Sequence, residues 1–518
     1  MPEMHFTVRW PDGQEHRCYS PSLIVRDYLE VGQSYALPTF VERTRTMLTV
    51  AAERVKEKFG FYCSAAMDQL QEIETRAVGL DPKGSVTVVA FEPKPSRRRV
   101  AVIGGGQAGL STSYCLKQRG IDHVVIEKHR IGHEWRERRW DSFCLVTPNW
   151  QCRLPGFPYP GSDPSGFMKK GEIVQYLESY VASFKPPVLE GTTVTSLRRR
   201  TDGTFELTTT LGTIVADQVV VATGGYHTPN VPRMAERFPD GLVQMHSCEY
   251  RNPDALPPGD VLVVGTGQSG CQIAEDLHLA GRRVHLCVGG APRTARRYRG
   301  KDVVDWLDAM GYYRIPVHEH PLKERVRAKA NHYVTGRDGG RDIDLRKFAS
   351  EGMRLYGHLR GVRGTVLEFA EDLKTNLDSA DSVSESIKST IDKYIANQGL
   401  DAPTEGRYVP VWEPREEARE LDLSETSIRT VIWSVGYRSD YGWLELPVFD
   451  GRGYPVHQRG VTSVDGVYFV GLPWLYTWGS GRFSGVADDA EHVVARIDAR
   501  LGETQAPSPA LNELVLGS

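Results

Sequence analysis

Val102-Ile103-Gly104-Gly105-Gly106-Gln107-Ala108-Gly109 and, roughly 160 residues further on, Val263-Val264-Gly265-Thr266-Gly267-Gln268-Ser269-Gly270 are the stretches whose reading decides the fold. Each follows a short β-branched apolar run and opens a segment with helical periodicity. In a strand–turn–helix, glycines at this spacing allow a tight turn, let the backbone approach a pyrophosphate, and bring the helix close to the strand. The helix N-terminus then offers free N–H groups to phosphate. One such stretch is weak evidence. Two in order predict two dinucleotides held by one α/β chain with two Rossmann-like units. The candidate positions are Gly104, Gly106, Gln107 and Gly109 in the first, and Gly265, Gly267, Gln268, Ser269 and Gly270 in the second.

The residues just downstream of each stretch separate the two dinucleotides. After the first, Leu110–Arg119 leads into His123-Val124-Val125-Ile126-Glu127. An acid closing that strand suits a free ribose diol, as in the adenosine half of FAD or NAD, which makes Glu127, with Lys128 beside it, a candidate there. After the second, Arg283-Val284-His285-Leu286-Cys287-Val288 ends in Gly289-Gly290 with no acid. Arg293, Arg296, Arg297 and Arg299 come at once, a cluster suited to a 2′-phosphate. The residues therefore predict FAD in the first site and NADPH in the second, with Arg293, Arg296 and Arg297 on the phosphate.

Composition agrees with a large globular enzyme. The chain has 518 residues, 40% of them hydrophobic and 25% charged, enough for about three domains. A net charge of −3 gives no basic footprint for nucleic acid or an anionic membrane. No run approaches the ~18 apolar residues of a membrane span, and the polar N-terminus lacks an apolar leader, so a cytoplasmic location is expected. The eight cysteines lie far apart without any Cys-x-x-Cys. That spacing fits reduced thiols, and argues against zinc and against a flavin disulfide reductase. His318 and His320, two apart among prolines, form a poor metal constellation, and no metal is expected.

Along the chain, residues 1–95 read as a small α+β domain with order ββααβ. His5–Trp10 alternates, Pro11-Asp12-Gly13 turns, helical spacing runs over Thr39–Phe59 and Ser64–Ala77, and Ser85–Phe91 closes the unit. Pro93-Lys94-Pro95 links it to the rest. A discontinuous FAD unit is expected over 96–247 and 408–502, a NADPH unit over 248–407, and a loose tail over 503–518. The chain is expected to cross between units at Ala222-Thr223-Gly224 and Ser434-Val435-Gly436-Tyr437. Leu367–Leu400, with an acidic Ser-rich tract and an amphipathic helix, reads as a mobile excursion of the NADPH unit.

Taken together, the motifs resemble the class B flavoprotein monooxygenases over about 400 of the 518 residues. The matching pieces include the Gly104 fingerprint, Gly132-His133-Glu134-Trp135-Arg136, Leu145-Val146-Thr147-Pro148, His246–Arg251 and Trp433–Arg438. Tyr298–Asp302 and Gly471-Leu472-Pro473-Trp474 look like a bacterial branch. The N-terminal unit resembles a small family linked to nitrogen starvation. The resemblance implies oxygenation of a small nitrogen-containing metabolite by O2 through a peroxyflavin. It places Trp135, Arg136, Leu145 and Thr147 along the flavin, lets the backbone approach it at Gly224, Gly436 and Gly471, and offers Asn149 as an oxygenation-site residue. Trp474–Gly481 would cap the flavin, and its aromatic residues would wall the substrate pocket. Two departures limit the transfer. Phe238-Pro239-Asp240-Gly241 reaches His246 with altered spacing, and Tyr250-Arg251-Asn252-Pro253 replaces the ending typical of Baeyer–Villiger enzymes. A flavin oxidase or reductase without oxygen insertion, and a flavin-bound regulatory module, are the alternatives. A second copy or a partner enzyme held through the N-terminal unit is the expected association.

Overall fold

The computed structural model describes residues 3–60, 62–93 and 96–505. Lys94 and Pro95 of the expected linker and residues 506–518 of the expected tail lie outside them.

Alternation builds the N-terminal unit. Met4, Phe6 and Val8 point into its core from the strand Met4–Arg9. Helix Leu37–Phe59 answers with Phe40, Met47, Leu48 and Ala51. The antiparallel sheet runs Glu15–Ser20, Met4–Arg9, Ser85–Pro93, Ser34–Ala36, and the second helix is Ser64–Val78. The short helix Val25–Tyr28 and the edge strand Ser34–Ala36 add to the expected ββααβ order. Neither is long enough to show a period.

The first nucleotide unit is a nine-stranded sheet. At its heart Val467–Phe469, Gly212–Val221, Ser96–Ile103, His123–Ile126 and Val188–Leu189 pair in parallel. Val100 to Ile103 are buried without alternation because both sheet faces are covered. Helices Gln107–Gln118 and Val486–Gln505 pack on one face. The hairpin strands Val194–Arg199 and Phe205–Thr209 belong to the cluster on the other.

The second unit is a five-stranded parallel sheet in the order Val243–His246, Ile428–Trp433, Asp260–Val264, Val284–Cys287, Arg354–Tyr356. Its two strands Val243–His246 and Ile428–Trp433 correct the expected boundaries at 247/248 and 407/408, which would divide this sheet. The crossings themselves pair with each other, Thr228–Pro229 antiparallel to Tyr437–Arg438. A buried apolar strand reads alike for either sheet, and only its pairing decides which one takes it.

Leu367–Leu400 holds the expected amphipathic helix, and only its expected mobility is corrected. Most of it is one long helix, Leu373–Gln398, docked through Leu377, Ala380, Ile391 and Ile395. It is part of the packed second unit rather than a mobile excursion.

Candidate dinucleotide cleft

The two fingerprints form the same cradle twice. Gly104 and Gly265 turn the chain with φ of +109° and +105°. A Cβ on Gly104 would stand 2.6 Å from the Ala222 carbonyl oxygen, and one on Gly265 2.7 Å from that of Ser434. Each first glycine thus lies under the strand end from which the chain crosses between units. Gly109 and Gly270 bring helix onto strand, since a Cβ there would come within 1.8 Å and 2.0 Å of the Gly104 and Gly265 oxygens. Gly106 and Gly267, the residues before helices Gln107–Gln118 and Gln268–Leu279, face open space. Those open positions beside unpaired helical N–H groups fit a pyrophosphate in each unit.

At the first cradle, Glu127 reaches the fingerprint. Its Oε2 accepts from the Gly105 N–H at 2.6 Å and its Oε1 from the His129 N–H at 2.8 Å. Lys128 is exposed. Gln107 donates through Nε2 to the Gly481 carbonyl at 3.3 Å, tying the helix start to the C-terminal cap. Gly471, with φ of +87°, packs on the same helix, where a Cβ would meet that of Ala108 at 2.5 Å. Gly224 and Gly436 also have positive φ, and no atom crowds their Cβ positions.

At the second cradle, Gln268 Nε2 donates to the Val334 carbonyl, and Ser269 is half-buried. The position corresponding to Glu127 is Val288, and the next residue, Gly289, donates its N–H to Thr266 Oγ1 at 2.8 Å. His358 stands beside it, with Nε2 3.2 Å from the place of a Gly289 Cβ and Nδ1 2.6 Å from Asp372. The sequence held no signal for this histidine, which lies far along the chain.

The arginine cluster is corrected. Arg293 is buried and paired with Asp381, its guanidinium 4.1 Å from the Tyr408 ring centroid. Arg296 is buried against Asp302 and donates to the Val146 carbonyl at 2.7 Å. Arg299 pairs with Asp392 at 3.5 Å, while Arg297 is exposed on a short hairpin. A buried guanidinium requires a counterion. Helix Leu373–Gln398 supplies Asp381 and Asp392, so the acidic tract and the arginine cluster answer each other. Of the three arginines expected on the phosphate, Arg293 and Arg296 are buried in ion pairs and Arg297 alone is exposed.

Two flavin-side expectations are corrected as well. Arg136 turns to Glu178 on helix Lys170–Phe184 and to the Ile131 carbonyl at 3.2 Å, both structural contacts. Asn149 is buried with both ends of its amide engaged. Its Nδ2 donates to the Asp163 carbonyl at 3.0 Å, and its Oδ1 accepts from the Met168 N–H at 2.7 Å. It therefore anchors a loop instead of presenting an amide to a reacting centre. Trp135 stacks on Phe483 with centroids 5.6 Å apart. Leu145 is buried with its N–H on the Met168 carbonyl, and Thr147 is half-buried nearby. In the C-terminal cap, Ser480 Oγ accepts from the Tyr476 and Thr477 N–H groups, each at 2.9 Å.

Two matched dinucleotide cradles joined by paired crossings define a two-dinucleotide oxidoreductase. Residues 101–339 match the pyridine nucleotide-disulphide oxidoreductase family, and residues 5–91 match nitrogen starvation-induced protein NitG. A CzcO-like oxidoreductase of Geobacillus kaustophilus (strain HTA426) is 36% identical over 399 residues, covering 76% of this chain and 97% of the relative. The chain belongs to this CzcO-like family and is a flavin-dependent oxidoreductase. An indole-3-pyruvate monooxygenase of Arabidopsis thaliana is 33% identical over 198 residues, 37% of this chain and 47% of that protein. A flavin-containing monooxygenase from Stenotrophomonas maltophilia shares the fold, with a TM-score of 0.53 at 20% identity over 78% of this chain and 99% of that one. All eight cysteines are free thiols, and seven of them are buried. No helix among the described residues is long and apolar enough to cross a membrane.

Proposed function

We propose that this chain is a cytoplasmic, FAD-dependent, NADPH-reduced monooxygenase that oxygenates a small nitrogen-containing metabolite. The observation that carries the reading is the repeated cradle without a vicinal cysteine pair. Two dinucleotides then have a place to bind, while the electrons have no thiol relay to follow. The plant and bacterial monooxygenases among the relatives support oxygen as the acceptor. The NitG match supports a nitrogen-containing substrate.

Bound FAD would supply hydride acceptance from the nicotinamide and electron delivery to O2. The chain's own residues bind, orient and exclude water. Glu127 holds the adenosine ribose, and the helix starts at Gly106 and Gly267 take the pyrophosphates. His358, oriented by Asp372, would meet the adenosine end of NADPH in place of Arg293, Arg296 and Arg297. Trp478 on the cap would wall the cleft, while Trp474 packs beneath it against Val317 and Val326.

The test is a panel of amines, amino acids and nitriles assayed for NADPH oxidation, oxygen uptake and hydrogen peroxide together. A compound that raises oxygen uptake while suppressing peroxide supports the reading. Peroxide equal to NADPH consumed throughout the panel would replace it with an oxidase without oxygen insertion.

A further inference from the structure

Arg482 stands where the two cradles approach each other. Its neighbour Gly481 accepts from Gln107 of the first fingerprint, at 3.3 Å. One terminal nitrogen of Arg482 donates to Asn331 Oδ1 at 2.8 Å. Asn331 belongs to the segment whose Val334 carbonyl takes Gln268 of the second fingerprint. The other terminal nitrogen donates to the Trp478 carbonyl, and the guanidinium lies 3.9 Å from the centroid of the Trp478 ring.

What the group lacks is an anion. Arg293, Arg296 and Arg346 are buried, and each pairs with aspartate. No carboxylate among the described residues pairs with Arg482, and the ionisable groups that face it are the phenols of Tyr226, Tyr312 and Tyr313. Arg482 is half-buried, and desolvation by the surrounding rings pushes its pKa below the ordinary value, with no carboxylate beside it to offset this. Such a charge is costly until an anion meets it. Its surroundings are flat and apolar. The Tyr313 and Trp478 rings lie 4.5 Å apart, and Tyr312 meets Trp474 edge-on at 6.5 Å. A stacked guanidinium keeps its edge N–H groups available for a carboxylate. The cofactor phosphates have their own places at Gly106 and Gly267.

We propose that Arg482 receives a carboxylate of the substrate, so that the oxygenated compound is an organic acid whose planar body lies against Trp478 and Tyr313. This rests on the monooxygenase reading above and narrows its substrate class.

The test uses the full-length, FAD-loaded protein without NADPH, titrated with benzoate and with benzamide while the flavin absorbance spectrum is followed. The two probes share a ring and differ in charge. Benzoate is expected to bind at least tenfold more tightly, R482Q to abolish that preference, and R482K to restore part of it. Equal binding of the two probes by the unaltered protein would overturn the proposal, and that comparison needs no variant to fold. An undiminished preference in R482Q would overturn it too. So would R482Q protein purified without FAD, which would make Arg482 a cofactor contact. Failure of NADPH to reduce the flavin, with the benzoate preference intact, would count against the monooxygenase reading and leave the anion site standing.

Discussion

Replacing Gly270 with alanine adds one methyl group at the second cradle, and the structure sets its cost. The new Cβ would stand 2.0 Å from the Gly265 carbonyl oxygen and 3.1 Å from Ser434 Cβ. Carbon and oxygen meet without strain at about 3.3 Å, so helix and strand must separate by about 1.3 Å (3.3 minus 2.0). Nothing flexible can yield. The oxygen is backbone, and Cys271, Ile273, Ala274 and Leu277 lock the helix into the core. Overpacking of this kind costs about 1–3 kcal/mol, and a misplacement of about 1 Å at a binding element costs about a hundredfold in rate. Gly270→Ala should therefore keep FAD but be reduced by NADPH about a hundredfold more slowly, read by stopped-flow bleaching of the flavin without oxygen. Gly109→Ala makes the matching intrusion at the first cradle and should purify without FAD. Gly267→Ala points into open space and should leave the melting temperature unchanged while weakening NADPH. A Gly270→Ala protein reduced as fast as the unaltered enzyme at equal NADPH would refute the assignment of the second cradle.

Other consequences are separable. Asp381→Ala removes the carboxylate shared by Arg293 and Arg346, and should lower stability by about 3–5 kcal/mol in a denaturant titration. A loss below about 1 kcal/mol would contradict the structural role given to those arginines. Burial pushes the Asp489 carboxyl up to about 6 from 3.8. The folded state thus holds this proton more tightly than the unfolded chain, and its contribution is complete below about pH 4 and lost as pH rises through about 6. Asp489→Asn should remove that decline and be the more stable protein at pH 7 by about 2–3 kcal/mol, seen in melting curves across pH. Equal pH profiles for the two proteins would exclude this role. Burial likewise raises the Cys18, Cys115 and Cys152 thiols to about 12. Iodoacetamide at pH 8 should leave flavin reduction intact, and its loss would reveal a working thiol.

The backbone features were legible from sequence and the charge partnerships were not. Glycines at 104, 109, 265 and 270 are demanded by steric contacts within a few residues of chain and one crossing strand, so their spacing carries the geometry. Arg293 and Arg296 carry no mark of their partners. Asp381 lies on a helix whose serines and aspartates look like a solvated tract until its Asp381 and Asp392 face buried arginines and tyrosines. Ile428–Trp433 and Val243–His246 show the same limit for strands, since burial is local in sequence and pairing is not. Resemblance alone singles out Asn149. Its two amide hydrogen bonds, to residues beyond position 160, show what its own neighbourhood in the chain could not.

The most direct test of the central claim is anaerobic reduction of the FAD-loaded protein by NADPH and, separately, by NADH, followed by mixing with oxygen and timing of peroxide release. NADPH should bleach the flavin well ahead of NADH, and oxygen should then reoxidise it with slow release of peroxide. Failure of both nicotinamides to bleach the flavin would contradict the second cradle, and immediate stoichiometric peroxide would contradict oxygenation.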